Sequence, residues 1–330
     1  MSARFHPYLC GRNAAEWLID MKEYSVISLG EALVDFVPVD GTLPGRFNAL
    51  PGGAPTNVAC GLGRLGLSVA LIARVGGDPL GRCLLQTLEQ YAVDDAYVQI
   101  DPQRFTTVTI VMPKSEDMLR YAIYRSGSAD GALSFQEIPA ELFSHARVLH
   151  YGSLCMASES SRQTTLLAIQ AAKDHGMMTS VDVNLRPNSW KSSAQMVREA
   201  RHLVELSDIV KLTLDEAQLL ALDIAALTKA GKIVIVTDGA NGASIHADGV
   251  SVSRPAMDVD VLDVTGGGDA FMSAFLYYYT THCGTTPLRE LLSSALGFCV
   301  ASSSVAIQRY GGISSLPTLE EIHELEAKNT

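Results

Sequence analysis

The sequence predicts an α/β protein in which a mainly parallel sheet lies between two layers of helices, with a small lid sheet beside it. Short β-branched runs alternate with helical stretches along most of the chain. Some of these runs, such as Ile233–Val236, are apolar at every position, which indicates strands buried on both faces. Two segments, about 36–50 and 106–125, instead alternate polar and apolar residues without an intervening helix. We expect them to form antiparallel lid strands that are covered on one face only.

The order of the elements follows from these runs. Strands are predicted at Val26–Leu29, Val69–Val75, Val148–Tyr151, Ser180–Val183, Ile209–Leu212 and Ile233–Thr237. Helices are predicted at Thr56–Leu65, Leu80–Tyr91, Ser161–His175, Ala194–Leu206 and Leu214–Leu220. One or two helices are expected within 288–306, and a final helix from Thr318. Residues 1–23 are interpreted as an N-terminal extension that precedes a single domain over 24–330.

Composition excludes several classes of protein. The chain has 330 residues, 47% of them hydrophobic and only 18% charged, so it can bury a large core. Its net charge of -11 argues against binding to nucleic acid or to anionic lipid. No apolar stretch is long enough to cross a membrane. The six cysteines form no C-x-x-C pair, which is typical of reduced thiols in a cytoplasmic protein.

Two glycine-rich segments resemble nucleotide-binding motifs without their context. Gly61–Gly66 satisfies G-x-G-x-x-G, but it ends a predicted helix instead of opening one. We therefore interpret Gly61 and Gly63 as close-packing positions and Gly66 as a helix C-terminal cap. Gly76–Cys83 approaches a P-loop, but arginine and cysteine stand where lysine and serine or threonine are required. This segment is expected to be a turn before the next helix.

The strongest chemical signal is the sequence DVTGGGDAF at 263–271, between the strand-like run 259–262 and a buried helix. Three adjacent glycines, Gly266, Gly267 and Gly268, would let backbone N–H groups converge on an anion at the helix N-terminus. Asp269 would then lie beside a transferred phosphoryl group and could deprotonate a substrate hydroxyl. Alternatively, Asp269 is a helix cap and the glycines form a flexible loop. A cap does not account for three glycines in a row.

This segment resembles the C-terminal signature of the ribokinase-like sugar kinases, also called the phosphofructokinase-B family, with Gly267 in place of the usual alanine. The sequence GGAPTNVA at 52–59, continuing to Gly76, resembles the other family signature. The resemblance runs from about Val26 to Pro317. It implies a ribokinase-like three-layer α/β/α sandwich with a small β lid. It also implies ATP-dependent transfer of a γ-phosphoryl group to a sugar hydroxymethyl group.

The resemblance assigns roles to individual residues. It makes Asp269 the catalytic base and Gly266, Gly267 and Gly268 the anion hole. The sugar-binding positions that it implies are Asp35, Gly52, Gly53, Asn57, Arg125 and Asp269. Arg186 corresponds to an arginine that approaches the substrate or the transferring phosphate, for which a planar guanidinium is suited. Without the second signature, the two glycines at 52 and 53 could be a simple turn and Asn57 a helix cap.

The resemblance also implies a nucleotide site and two kinds of metal site. The ATP-binding positions are Lys211, Thr213, Glu216, Thr237, Gly239, Asn241, Gly242 and Gly268. Thr213 departs from the usual asparagine or serine, and Glu216 would act on Mg²⁺ through water. Alone, Glu216 would be an ordinary acid of a first helical turn. A monovalent cation, K⁺, is implied at Asp263, Thr265, Ala306, Arg309, Gly311 and Ser315.

Within the family, the segments 30–35 and 52–57 are most similar to those of fructokinases, as are Tyr124–Arg125 and Ala129–Asp130. Fructose is therefore the expected sugar, with Arg125 over it from the lid. Alternatively, Arg125 is exposed and pairs with Asp130. Residues 182–186 also resemble aminoimidazole riboside kinase, and ribokinase and 2-keto-3-deoxygluconate kinase remain open.

Two other classes of function were compared with a kinase. A non-catalytic sugar sensor could use the same fold, but the intact Asp269 and its glycines argue against it. A nucleotide-cofactor oxidoreductase is disfavoured by the position of the G-x-G-x-x-G motif. The expected partners are a sugar, ATP and a second copy of the chain, which would form a homodimer through the lid.

Overall fold

The structure of the chain is a computed structural model that describes residues 23–39, 45–111 and 121–328. The predicted extension lies outside the described residues except for residue 23, so its boundary stays a prediction. The same holds for the parts of the two lid segments at 40–44 and 112–120.

Strands and helices alternate along the described residues. The strands are β1 (Tyr24–Leu29), β2 (Leu33–Pro38), β3 (Phe47–Gly52), β4 (Val69–Gly76), β5 (Val93–Asp94), β6 (Val98–Asp101), β7 (Thr107–Val111), β8 (Tyr121–Tyr124), β9 (Ala146–Gly152), β10 (Met178–Asp182), β11 (Ile209–Thr213), β12 (Ile233–Thr237), β13 (Ala243–Ala247) and β14 (Val250–Arg254). The helices are α1 (Ala54–Arg64), α2 (Pro79–Gln90), α3 (Glu159–Asp174), α4 (Ser193–Leu206), α5 (Leu214–Leu219), α6 (Ile224–Lys229), α7 (Gly267–His282), α8 (Leu288–Ala306) and α9 (Leu319–Lys328). Every strand and helix predicted in the alternating series is present.

The central sheet has ten strands in the order β14-β13-β12-β11-β10-β9-β1-β4-β5, with β6 also paired to β4. All neighbours from β12 to β5 are parallel, and only the β12–β13 and β13–β14 pairs are antiparallel. Parallel neighbours place their carboxyl ends at one edge of the sheet, where ligand sites of α/β proteins form. The predicted α/β sandwich with a mainly parallel sheet is confirmed.

Both faces of this sheet are covered by helices. Along β12, Ile233 and Ile235 point into one apolar core, and Val234 and Val236 into the other. Helices α1, α2, α7, α8 and α9 pack on the first face, and α3, α4 and α5 on the second. Burial on both faces explains why these strands are apolar at every position.

The second sheet is the predicted lid, with four strands in the order β3-β2-β7-β8. Side chains of β7 alternate between buried and half-buried, as expected for a sheet covered on one face. The β2–β3 and β7–β8 pairs are antiparallel, whereas β2 and β7 are parallel. The all-antiparallel expectation was therefore wrong for the central pair. Because β2 and β7 each follow a strand of the parallel sheet, β1 and β6, they enter the lid in the same direction.

The segment 259–262, which was expected to be strand-like, has no regular secondary structure. Its backbone is bonded to a helix end instead: the N–H groups of Leu262 and Asp263 donate to the carbonyl of Ile307, just after α8. These two hydrogen bonds hold the segment against the end of α8 instead of at an edge of the sheet. The region 288–306, for which one or two helices were expected, is the single helix α8.

The two misleading glycine motifs have the predicted structural roles. A Cβ atom on Gly63 would lie 2.1 Å from the carbonyl oxygen of Tyr91, so this position of α1 packs against backbone. Gly66 follows α1 with a φ of +89°, as expected for a left-handed C-terminal cap. The second motif forms the start of α2, where the Asp78 side chain accepts a hydrogen bond from the backbone of Gly81.

The contact at Gly63 gives a stability prediction. Gly63→Ala should lower the free energy of unfolding by about 1–3 kcal/mol, because the added methyl must displace backbone. Gly131→Ala is the matched control, because a Cβ there would lie 3.5 Å from the nearest atom, the Ser158 Oγ. We expect it to change stability by no more than about 0.5 kcal/mol. Chemical denaturation measures both variants, and equal stabilities would contradict the assigned packing role.

Candidate active site

A cavity of about 760 Å³ lies at the carboxyl ends of the parallel strands. Its floor comes from successive strand ends: Glu31 after β1, Ser153 after β9, and Asp182, Thr213 and Thr237 at the ends of β10, β11 and β12. These residues are far apart in sequence and meet here because the strands are parallel.

The lid supplies the opposite wall of the cavity. Asp35 and Thr109 reach it from β2 and β7, and Tyr121 and Ile123 from β8. The guanidinium carbon of Arg186 lies 5.3 Å from the centroid of the Tyr121 ring, a cation–π distance. Arg186 is therefore a bridge between the main sheet and the lid.

The three-glycine turn begins helix α7. Gly266 is the N-cap, with a φ of +80° that favours glycine, and the helix continues for 16 residues. Asp269 lies three positions further on, so the alternative that it caps the helix is wrong. The Nζ atom of Lys211 would lie 3.4 Å from a Cβ on Gly268. A helix N-terminus and an ammonium group thus face the same point, as an anion site requires.

Asp269 is buried and is held by the first signature segment. Its Oδ2 accepts a hydrogen bond of 2.7 Å from Nδ2 of Asn57 on α1. Burial raises the pKa of Asp269 to about 6, and the hydrogen bond from Asn57 acts in the opposite direction. The negative charge of Asp182 raises this pKa further, whereas the positive charge of Lys211 lowers it. A carboxylate poised near neutral pH in a cavity is suited to general-base chemistry.

The turn at Gly52 and Gly53 packs against the side chain of Asp35 and the backbone of Glu31. A Cβ on Gly52 would lie 2.8 Å from Oδ2 of Asp35, and one on Gly53 would lie 2.3 Å from the carbonyl oxygen of Glu31. Gly53 also has a φ of +107°, so only glycine fits there without strain. Burial raises the pKa of Asp35 to about 6. Asp35 faces the cavity, as predicted for a sugar-binding carboxylate.

Lys211 and Asp182 form a buried ion pair at the cavity floor. The distance from Nζ to Oδ2 is 2.7 Å, and both side chains are about 5% exposed or less. Burial acts to lower the pKa of Lys211, but the charge of Asp182 and its hydrogen bond hold that pKa above the ordinary value. Lys211 therefore presents a positive charge to the cavity.

Thr213 and Glu216 form a reciprocal cap at the start of α5. The Thr213 Oγ1 accepts from the N–H of Glu216, and Glu216 Oε2 accepts from the N–H of Thr213 at 2.8 Å. Its Oε1 accepts from the N–H of Leu185 at 2.6 Å. Both carboxylate oxygens are thus engaged by backbone, which fits a water-mediated role near a metal better than direct coordination.

Most of the predicted site residues meet in the cavity. The lining includes Asp35, Gly53, Asn57, Arg186, Lys211, Thr213, Glu216, Thr237, Gly239, Gly242, Thr265, Gly266, Gly267, Gly268 and Asp269. The predicted residues that do not line it are Gly52, Arg125, Asn241, Asp263, Ala306, Arg309, Gly311 and Ser315. Asn241 donates a hydrogen bond of 3.0 Å to Oδ2 of Asp238 beside the cavity.

The predicted monovalent-cation residues cluster beside the cavity. Asp263 Oδ1 accepts from the N–H of Thr265 at 3.0 Å, and Oδ2 accepts from the N–H of Gly311 at 3.2 Å. The side chain of Arg309 is instead paired with Glu321. The remaining contribution of Arg309 to a cation site would be its backbone carbonyl. The Ser315 hydroxyl donates to the carbonyl of Gly312 at 2.9 Å.

Arg125 forms the ion pair with Asp130 that the alternative predicted, but not at the surface. Its side chain is only about 10% exposed, so the expected exposed position is wrong. Arg125 also donates a hydrogen bond of 3.0 Å to the backbone carbonyl of Leu154, a residue that lines the cavity. Because Asp130 holds the guanidinium, Arg125 does not extend over the cavity. Its contribution to sugar binding stays a prediction.

Three residues that line the cavity have no role predicted from the sequence, namely Glu31, Thr109 and Ser153. Glu31 lies within the segment 30–35. Glutamate is usually exposed, so it indicates a functional site only when the structure shows that it is buried. The cavity also contains polar atoms that are buried without a hydrogen-bond partner among the described residues, namely Glu31 Oε2, Asn57 Oδ1, Thr109 Oγ1, Ser153 Oγ and Asp182 Oδ1. Buried polar atoms are usually paired, so these five indicate a polar ligand.

Comparisons with known proteins agree with this geometry. The model described as "pfkB family carbohydrate kinase" matches residues 24–319. Fructokinase-2 of Zea mays is 33% identical over 315 residues, which cover 92% of this chain and 94% of that protein. A fructokinase double mutant of Vibrio cholerae O395 was solved with fructose, ADP and potassium ion. Its structure matches this one with a TM-score of 0.84 at 28% sequence identity. The match covers 93% of this chain and 99% of that one. Aminoimidazole riboside kinase of Salmonella enterica, solved with aminoimidazole riboside and an ATP analogue, has a TM-score of 0.78 at 26% identity, covering 91% and 99%.

The buried pair of Lys211 and Asp182 gives a second stability prediction. Asp182→Asn should lower the free energy of unfolding by about 3–5 kcal/mol, because it leaves a buried ammonium without its counter-charge. Glu159→Gln breaks the exposed ion pair with Arg162 and should cost no more than about 1 kcal/mol. Urea denaturation of both variants checks the difference. A loss for Asp182→Asn as small as that for Glu159→Gln would show that the pair does not stabilise the folded chain.

Proposed function

The chain belongs to the pfkB family of carbohydrate kinases, and we propose that it transfers the γ-phosphoryl group of ATP to a hydroxymethyl group of fructose. It is thus a phosphotransferase with an alcohol group as acceptor. One observation carries the proposal: Asp269 is buried at the N-terminus of α7, beside three glycines and within reach of Asn57 and Lys211. This arrangement pairs a base with an anion site, which phosphoryl transfer requires.

Asp269 is the proposed general base. Its carboxylate would accept the proton of the sugar hydroxymethyl group while the oxygen attacks the γ-phosphorus. Backbone N–H groups of Gly267 and Gly268 would stabilise the charge on the transferred group, with Lys211 and Arg186 adding positive charge. Since the lid forms one wall, its closure would keep water from competing as acceptor.

Fructose is supported by the names of the relatives and by the segments at 30–35 and 52–57. The second candidate is aminoimidazole riboside, supported by the resemblance at 182–186 and by the likeness to the Salmonella enterica enzyme. Ribose and 2-keto-3-deoxygluconate are the other sugars to compare. A coupled assay of ADP release over these four compounds tests the proposal. A higher kcat/KM for any sugar other than fructose would overturn the choice of substrate.

The nucleotide would lie along the ends of β11 and β12, where Thr213, Thr237, Gly239 and Gly242 line the cavity. Asn241 would contribute from the same loop. In the described residues, no group of three or more His, Cys, Asp or Glu side chains is arranged to hold a metal ion. We therefore propose that Mg²⁺ is held mainly by phosphates and water, with Glu216 contacting it through water. Mg²⁺ would supply charge neutralisation on the phosphates.

A homodimer through the lid is part of the proposal. Large hydrophobic side chains of the lid region are exposed, namely Val39, Phe105 and Tyr124, with Phe105 about 77% exposed. Exposed apolar patches of this kind often mark protein interfaces. Light scattering that gives the mass of a monomer would contradict this assembly.

We also propose that the protein acts in the cytoplasm, on the basis of six scattered cysteines without a C-x-x-C pair. The five cysteines in the described part of the chain form no disulfide. None of the described helices is long and apolar enough to cross a membrane.

Potassium is expected to activate the enzyme. The loop that joins Asp263, Thr265 and Gly311 adjoins the three-glycine turn, so a cation there would order the anion site. The rate should rise when K⁺ replaces tetramethylammonium at constant ionic strength. Asp263→Asn should reduce this difference between the two salts. Equal rates in the two salts for the unmodified enzyme would rule out the site as an activator.

Asp269→Asn should lower kcat by about 10²–10⁴ while leaving sugar affinity within a modest factor, because the amide keeps the shape but cannot accept the proton. Since the carboxylate is the active form and its pKa is raised to about 6, kcat/KM should increase as the pH rises through about 6 and then level off. Burial places the pKa of Asp35 in the same range, so it contributes to this acid limb.

Steady-state rates and sugar calorimetry measure both parts of this prediction. Asp174→Asn, at an exposed position of α3, is the matched control and should change neither kcat nor KM. A correctly folded Asp269→Asn variant with near-normal kcat would remove the role of the general base.

A further inference from the structure

Glu31 is a buried carboxyl group that the proposed chemistry does not use. It lies just after β1, is about 5% exposed and lines the cavity. Its Oε1 accepts a hydrogen bond of 3.1 Å from the N–H of Ala54, at the start of α1. Its Oε2 is buried, and no group among residues 23–39, 45–111 and 121–328 forms a hydrogen bond with it. One oxygen is therefore anchored to the protein, and the other has an unmet acceptor capacity.

We infer that Glu31 is a sugar-binding residue whose Oε2 forms a hydrogen bond with a hydroxyl group of the substrate. The inference rests on the proposed function and adds a contact to the same site. It would place Glu31 beside Asp35, on the two sides of the Gly52–Gly53 turn. The sugar would then be held by two carboxyl groups from one continuous segment of the chain.

The alternative is that Glu31 only fixes the turn. The Ala54 hydrogen bond and the close approach of the Glu31 carbonyl to Gly53 serve that purpose. These contacts involve Oε1 and the backbone carbonyl of Glu31, and they give Oε2 no role. A buried polar atom without a partner destabilises a protein, so a second function is needed to account for a glutamate here.

The surroundings of Glu31 suit contact with a hydroxyl. Burial raises the pKa of Glu31 to about 7, so near neutral pH both the ionised and the protonated forms are populated. The backbone N–H of Glu31 and the positive charge of Arg125 act to lower this pKa, and the negative charge of Asp130 acts to raise it. A hydroxyl can donate to the ionised form and accept from the protonated form. Arg125 thus acts on the sugar site through Glu31 and through the carbonyl of Leu154.

A contact of this kind selects among sugars. A sugar that lacks the bound hydroxyl would leave Oε2 buried and unpaired, as it is in the protein alone. The unmet carboxyl oxygen would then weaken binding of that sugar relative to one that satisfies it. Glu31 would be a specificity-determining residue as well as a binding residue.

The test uses Glu31→Gln and Glu31→Ala in the full-length enzyme. Glu31→Ala should raise KM for fructose about tenfold to a hundredfold, the loss expected for a hydrogen bond to a charged group. Glu31→Gln keeps a carbonyl for Ala54 and should have a smaller effect in the same direction. KM for ATP should stay unchanged in both variants.

A series of monodeoxy fructose analogues separates contact from a structural role. If Oε2 binds one hydroxyl, the penalty of Glu31→Ala should disappear for the one analogue that lacks this hydroxyl. An unchanged KM, or the same penalty for every analogue, would overturn the inference. Glu31→Gln answers the same question if the alanine variant fails to fold, because it preserves shape.

Glu199→Gln is the matched control. Glu199 is also a buried carboxylate, but it lies on α4 outside the cavity and pairs with Arg198. Its KM for fructose should equal that of the unmodified enzyme. Failure of the unmodified enzyme to phosphorylate fructose would overturn the proposed substrate. The Glu31 variants would then be judged with whichever sugar the enzyme does phosphorylate, and an unchanged KM there would overturn this inference alone.

Discussion

The hydrogen bond from Asn57 to Asp269 is the contact around which the site is organised. It joins residues 212 positions apart, one in the segment that begins α1 and one in the first turn of α7. Because it holds the proposed base at the N-terminus of a helix, it fixes the position of that carboxyl relative to the glycine turn. Burial of the same carboxyl raises its pKa toward neutrality, against the opposing effect of the Asn57 hydrogen bond.

The parallel sheet makes this contact possible. Five strand ends at one edge bring acidic, basic and hydroxyl side chains together without distortion of the strands. Opposite charges then limit the cost of burial, most clearly for Lys211 and Asp182. The lid is connected to this floor through Arg186 and Tyr121, so the cavity lies between the two sheets.

The unpaired polar atoms of the cavity are suited to selecting a sugar, whereas other groups of the cavity are suited to phosphoryl transfer in general. The proposed anion site and base would serve any alcohol acceptor and would not choose a sugar. The choice would depend on side chains that contact hydroxyl groups, among them Asp35, as proposed, and Glu31, as inferred. Arg125 was expected to make such a contact directly. It is held by Asp130 instead, and its positive charge acts on the carboxyl of Glu31.

The sequence by itself determined the α/β class, the helices and strands of the alternating series, and the glycine turn that begins α7. These follow from local periodicity and from backbone requirements that only glycine meets. The lid was predicted, but the parallel pairing of β2 and β7 was not, because pairing depends on where each strand leaves the main sheet. Tertiary structure alone decided the positions of Arg125 and Glu31. Burial and the choice among several carboxylate partners arise from residues distant in sequence, and no local pattern encodes them.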